Sequence, residues 1–145
     1  MDEATPGQES APLPVFKSAD ACAEAVVERV GKDIRLALPL GLGKANLLTN
    51  ALYAKAKADP SIHLTIYTAL SIIRPKTPPG LGSRFGGPIL EKLFGDYPDL
   101  HYASDRRDGA LPPNVTVEEF FLSTGTLLGN EYAQRHYNSV NYTHA

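Results

Sequence analysis

The apolar positions of this chain follow two rhythms, broken by glycine and proline. Ala19, Cys22, Ala23, Val26 and Val30 recur at helical spacing. Ser18 suits the N-cap and Gly31 a left-handed C-cap, so an amphipathic helix is predicted from Ser18 to Val30. Ile34 to Leu40 is a short apolar run without a polar helical face, as expected of a parallel strand covered on both sides. The turn Gly41-Leu42-Gly43-Lys44-Ala45-Asn46 leads into a second helical pattern carrying Leu47, Leu48, Ala51, Leu52 and Lys55. That helix should stop before Asp59-Pro60, because proline disfavours helical geometry in its predecessor. His63 to Leu70, apolar and β-branched, reads as the next strand. A right-handed crossover then makes the two strands parallel neighbours or near neighbours.

Beyond this βαβ unit the signals are shorter. Eight of the fourteen residues from Pro75 to Pro88 are Gly or Pro, which predicts a long loop. Pro88 is placed to open a short helix through Ile89, Leu90, Leu93 and Phe94 that Gly95 ends. Leu100 to Ala103 suggests a third strand. Thr116-Val117-Glu118-Glu119 fits a capping box, so a short helix is expected there with Phe120 and Phe121 turned inward. Glu131 to His136 reads as helical and Ser139 to His144 as extended. The fold class expected is α/β, a small parallel or mixed sheet with flanking helices. The chain stops after an extended segment with no following helix, so that domain reads as cut short.

Composition alters this picture at the ends and in the partners it allows. Residues 1–15 hold three prolines and three acids but no Lys or Arg, a composition that predicts a disordered arm ahead of a domain spanning 16–145. The 14 basic and 16 acidic residues give a net charge of −2, without the cationic excess of nucleic-acid binders. Met1-Asp2-Glu3 lacks the basic and apolar regions of a signal peptide, and no stretch is apolar enough to span a bilayer; a cytoplasmic protein is expected. The single cysteine, Cys22, forms no internal disulfide or zinc cage and reads as a small buried thiol on a helix face.

The most suggestive chemistry is the GLGKAN turn, since amides at a helix N-terminus attract phosphate and Lys44 adds charge. It departs from the dinucleotide fingerprint, with Asn46 at the third glycine, and from the P-loop, with Ala45 at the Ser/Thr and Leu38 at the first glycine. A tight turn needing glycine for steric reasons is the plainer reading. Arg84 beside Gly86, Gly87 and a helix start offers a second anion site, weighed against a solvated loop cation. Asp105-Arg106-Arg107-Asp108 reads as a solvated turn. Glu118 and Glu119, being adjacent, diverge on a helix and make no facing acid/base pair. His63, His101, His136 and His144 lack metal-ligand spacing, and no serine sits in a nucleophile elbow. No catalytic or metal residue is assigned.

Three strings carry a further signal: ALPLGLGKANLLTNALYAKAKADPSIHLTIYTALSI, FGDYPDLHYASDRRDGALPPNVTVEEFF and NSVNYTHA. From about Gly31 to Ala145 the chain resembles the N-terminal part of the acetyl-CoA hydrolase/transferase family. The resemblance implies a two-domain α/β protein of the CoA-transferase fold, moving an acyl group between coenzyme A and a small carboxylic acid or water. A glutamate of the second domain attacks the thioester there, forming an acyl-glutamyl anhydride and then a glutamyl-CoA thioester. No acid of this chain inherits that role, so a second domain or partner chain must supply it. By the same resemblance Gly41, Gly43, Lys44 and Asn46 belong to the CoA side at the first strand-to-helix turn, and Asn141, Tyr142, Thr143 and His144 approach the inter-domain cleft. Acetyl-CoA is then substrate, with no covalently held cofactor. A non-catalytic nucleotide- or phosphate-binding module and a partner-docking domain are the alternatives from other classes.

Overall fold

A computed structural model describes residues 14–72, 74, 80–120 and 129–136. Helix α1 spans Ala19–Val30, with the Ser18 hydroxyl accepting from the Ala21 amide at 3.1 Å and Gly31 closing it at a φ of 89°. Strand β1 is Asp33–Ala37, α2 is Asn46–Ala58 and β2 is His63–Thr68. Helix α3 covers Leu81–Phe94, α4 His101–Arg107, β3 Val115–Glu119 and α5 Glu131–His136. The strands form one parallel sheet in the order β1-β2-β3. This is the small parallel α/β arrangement expected from the βαβ reading.

Register explains how the sheet is buried. Ile34, Leu64 and Val115 lie side by side, followed by Leu36, Ile66 and Val117. Both rows face a core that Ala23 of α1, Leu52, Tyr53 and Ala56 of α2, and Tyr102 and Ala103 of α4 complete. Complete burial of one such large apolar side chain contributes about 1.5–3 kcal/mol, which makes this face the main source of stability. The opposite face carries Arg35, Thr65 and Thr116 in one row and Ala37, Tyr67 and Glu118 in the next. Arg35 and Ala37 are exposed and the other four are half-buried. The expectation that β1 is covered on both sides is therefore corrected: its burial alternates, and α1, α2 and α4 line the inward face.

Three further expectations are overturned. Leu81–Phe94 is helical although it contains three glycines and Pro88 lies inside it, so the loop predicted to run through Pro88 ends earlier. The i, i+4 spacing of Leu81, Phe85, Ile89 and Leu93 sets the helical period there, and the glycines hide it from a composition count. Pro75–Pro79 lie outside the described residues. At the far end the Arg74 guanidinium donates to the carbonyls of Phe94, Gly95 and Tyr97. Gly95 closes α3 in a right-handed conformation, where a Cβ would lie 2.5 Å from the Glu91 carbonyl.

Leu100–Ala103 is no strand: α4 begins at His101, whose amide donates to Asn50 Oδ1 at 3.0 Å. Tyr102, Ala103 and Arg106 form its buried stripe, a period that four residues are too few to display. Thr116 caps nothing. It sits mid-strand beside Thr65, with Val115, Val117 and Glu119 turned inward. Three consecutive β-branched residues, Val115 to Val117, outweigh the capping-box match, and Asn114 secures the strand's start by donating to the Ala56 and Ile62 carbonyls at 2.8 Å each. Phe120 is exposed rather than inward, and Phe121 lies outside the described residues. The helix expected at 131–136 is present as α5. Residues 1–13 of the expected arm and the extended segment at 139–144 fall outside the description, as does any test of the 1–15/16–145 division. No helix among the described residues is long and apolar enough to cross a membrane.

The helical state of α3 has a direct check. Native-state amide exchange should show the Leu90 to Phe94 amides protected by their intrahelical bonds. Exchange of these amides at the rate of free chain would mean a loop instead.

Candidate functional site at the carboxyl edge

All three strands end at the same side of the sheet, where open parallel sheets bind ligands. Leu38 to Ala45 leaves β1 there, and a single 3-10 turn at Gly41–Gly43 delivers the chain to α2. Gly41 has a φ of 66°, a conformation that favours glycine. The turn places Lys44 inside the protein, 7% exposed. Its ammonium donates to the carbonyls of Pro39 at 2.7 Å and Ala69 at 2.6 Å, with Gly41 and Leu70 each at 3.4 Å. Leu70 has a φ of 49°, a left-handed value uncommon outside glycine, and this bend turns successive carbonyls toward one ammonium. Burial lowers the Lys44 pKa from its usual range, and the negative charge of Glu119 partly opposes that shift.

Glu119 is the second anchor of this edge. It lies at the end of β3, 2% exposed, and pairs with Arg106 of α4 at 2.5 Å. Its other oxygen accepts from the Ser71 amide at 2.5 Å, tying the chain after β2 to β3. Ser71 Oγ stands 2.7 Å from the hydroxyl of Tyr102, itself fully buried. Burial raises the Tyr102 pKa, so its phenol stays protonated through the neutral range. The capping reading of Glu119 is thus corrected to a buried ion pair. The solvated reading of Asp105–Asp108 holds for the exposed Arg107–Asp108 pair and fails for Arg106 and Asp105.

Asp105 accepts from Tyr53 at 2.6 Å and from Lys57 at 2.7 Å. Those bonds, the Lys57 one foremost, hold its carboxyl below the usual range, while burial followed by the Asp105 bond and charge raises the Tyr53 phenol. Cys22 is half-buried on α1, a partial form of the expected buried thiol. Arg84 is exposed in the first turn of α3, which starts at Leu81 rather than at Pro88, so Gly86 and Gly87 lie in helix instead of the loop that the second anion layout needs.

Asn46 opens α2 and is 4% exposed. Its Nδ2 donates to the Pro98 carbonyl at 2.7 Å, as Asn50 Nδ2 does to Asp99 at 2.7 Å, so two asparagines one turn apart pin the segment ahead of α4. Asn46 Oδ1 is buried without a hydrogen-bond partner. Of the expected site residues, then, Gly41, Gly43, Lys44 and Asn46 gather at the carboxyl edge. Asn141, Tyr142, Thr143 and His144 lie outside the described residues. Lys44 has its ammonium turned inward onto carbonyls, and the Asn46 amide donates to the Lys44 carbonyl at 2.9 Å. Among the described residues no group of three or more His, Cys, Asp or Glu side chains is arranged to hold a metal ion.

Sequence reasoning missed Arg106, Ser71, Tyr102 and Asn50. The pairing of Glu119 with Arg106 is non-local, and its one readable signal was a glutamate on the inward face of an alternating Val115-Val117-Glu119 series. No family model, no curated protein and no solved structure matches the chain.

Two substitutions separate the roles of these acids. Glu119→Gln removes the charge that compensates buried Arg106 and is expected to cost about 3–5 kcal/mol in urea unfolding. The neighbouring Glu118→Gln, on the open face, should stay within about 0.5 kcal/mol of the parent. For Asp105 the folded carboxyl titrates below its unfolded value of 3.8, so its contribution is complete above that pH and fades as the pH falls through the lower, folded value. Asp105→Asn should therefore cost about 0.5–1 kcal/mol at neutral pH, with the gap to the parent closing on acidification below pH 3.8.

Proposed function

We propose that this chain is the N-terminal α/β portion of an acetyl-CoA hydrolase/transferase-like enzyme, forming one wall of an acyl-CoA cleft at the carboxyl edge of its sheet. The observation that carries this reading is the position of the GLGKAN turn, the string central to the resemblance, at the edge where open α/β sheets take ligands.

In this reading Gly41 and Gly43 let the ligand approach the backbone, and Asn46 holds the start of α2 to the Pro98 carbonyl beside it. Lys44 acts from beneath, holding the turn and the chain after β2 in place through their carbonyls. Lys44 is thus a positioning residue for the cleft wall. Acyl transfer requires a carboxylate that reaches the thioester carbon. Glu119 is committed to Arg106 and the Ser71 amide, and Glu118 lies on the open face of the sheet. By the resemblance, the attacking glutamate belongs to a second domain or a partner chain, and Asn141, Tyr142, Thr143 and His144 would stand toward that cleft. The acceptor is a small carboxylic acid or water, and the setting is the cytoplasm.

The test is an amide correlation spectrum of isotope-labelled chain titrated with coenzyme A and, separately, with ADP. Shifts centred on Gly41 to Asn46 with coenzyme A and weaker ones with ADP are expected. Equal response to both would favour a general nucleotide or phosphate module, and no response to either would contradict a CoA-binding wall in this chain.

A further inference from the structure

Four main-chain carbonyls converge on one point beneath the carboxyl edge, two from each of two strand exits. Those of Pro39 and Gly41 come from the turn after β1, at 2.7 and 3.4 Å from Lys44 Nζ, and those of Ala69 and Leu70 from the chain after β2, at 2.6 and 3.4 Å. The two more distant members, Gly41 and Leu70, carry left-handed backbone, with φ of 66° and 49°. For leucine that conformation costs free energy, so the surroundings impose the convergence against local preference. Carbonyl oxygens gathered this closely repel one another, and a positive charge at their centre turns that repulsion into attraction. Rings of backbone carbonyls are the ligand set of monovalent-cation sites. Divalent sites add carboxylates and hold their oxygens closer, at about 2.0–2.6 Å.

We propose that the four carbonyls form a monovalent-cation cage whose resident ion is the Lys44 ammonium, and that the cage accepts a small primary ammonium ion when the side chain is cut back. The charge and its tether then have separable roles: the charge assembles the two strand exits, and the stem only delivers it. Lys44 is 7% exposed, so its ammonium is held out of water. Burial draws its pKa down, and the negative charge of Glu119 opposes that shift. The carbonyls oppose it as well, because they bind the three hydrogens of the ammonium and a neutral amine offers only two. Truncation to alanine removes three carbons and a nitrogen, the composition of propylammonium, so that ion matches both the cage and the channel leading to it. None of this depends on which ligand the edge above takes, so it stands or falls apart from the CoA reading.

Urea unfolding of Lys44→Ala in tetramethylammonium chloride, and in propylammonium chloride at the same ionic strength, tests it. Tetramethylammonium has no N–H to give and serves as the reference. Propylammonium is expected to lower the unfolding equilibrium constant of Lys44→Ala by about fivefold or more, while the unaltered chain, whose cage is filled, responds equally to both salts. Lys44→Met fills the same channel without charge and should be less stable than the parent in either salt. A Lys44→Ala chain indifferent to the choice of cation overturns the proposal. So does a Lys44→Met chain as stable as the parent, or one raised by propylammonium as much as Lys44→Ala is. The unaltered chain gives a second readout through nitrogen-15 spectra of its lysine side chains at neutral pH. Lys44 should appear as a protonated, slowly exchanging ammonium, whereas exposed Lys32 and Lys57 lose their signals to exchange with water. A Lys44 group that is a neutral amine, or that exchanges as fast as those two, overturns the proposal even if Lys44→Ala does not fold.

Discussion

Three parallel strands that end together leave a set of carbonyls and chain reversals on one side, and a buried ammonium is what draws them into one structure. Lys44 reaches the exit of β1 through Pro39 and the exit of β2 through Ala69. Glu119, at the exit of β3, reaches back to β2 through the Ser71 amide and outward to α4 through Arg106. The two side chains also feel each other's charge, so desolvation of one is moderated by the other. Lys44 and Arg106 outnumber Glu119 beneath this edge by one positive charge, and the ends of β1, β2 and β3 are each tied to one of these groups. Charges this deeply buried are costly unless paired and hydrogen-bonded, and here each has several partners.

The local part of this design was legible in the residues. Ser18, the small apolar stripe and Gly31 specify α1 without outside help, and Asp59-Pro60 marks where α2 must stop. The βαβ unit follows from period alone, because its strands and helix are each long enough to show one. Legibility fails where a short segment takes its conformation from distant contacts. Thr116 and Glu119 match a helix cap and a strand equally well in isolation. The presence of β2 alongside, and of Arg106 to receive the glutamate, decides for the strand. Leu100 to Ala103 becomes helix because Asn50, half a domain away in sequence, accepts the first amide. The turn at Gly41 was visible as a candidate site, but the inward aim of Lys44 was not, since the carbonyls it seeks belong to residues on both sides of α2.

Among the described residues one face of the sheet is fully buried and the other is half-buried or exposed. Parallel sheets usually carry helices on both faces, yet Arg35, Thr65, Tyr67, Thr116 and Glu118 are polar enough to tolerate partial exposure. Such residues suit the half-buried face they occupy, and the candidate site lies at the carboxyl edge of the same sheet. A rigid floor beneath that edge matters for either reading of its function, because backbone amides bind an anion or an acyl carrier only if their geometry is set beforehand. In this molecule the floor is built from Lys44, Glu119, Arg106 and Tyr102, none of which needs to touch the ligand.

That dependence is most directly tested at one amide. The Ser71 N–H is bound by Glu119 at 2.5 Å just beyond the end of β2, where a chain leaving a sheet would ordinarily exchange freely. Native-state hydrogen exchange, followed residue by residue in rising sub-denaturing urea, should show Ser71 opening together with the core amides of Leu64 and Ile66. Exchange of Ser71 at the rate of an exposed loop amide, with Leu64 and Ile66 still protected, would contradict the claim that the buried charges at the carboxyl edge hold the sheet and its crossovers as one cooperative unit.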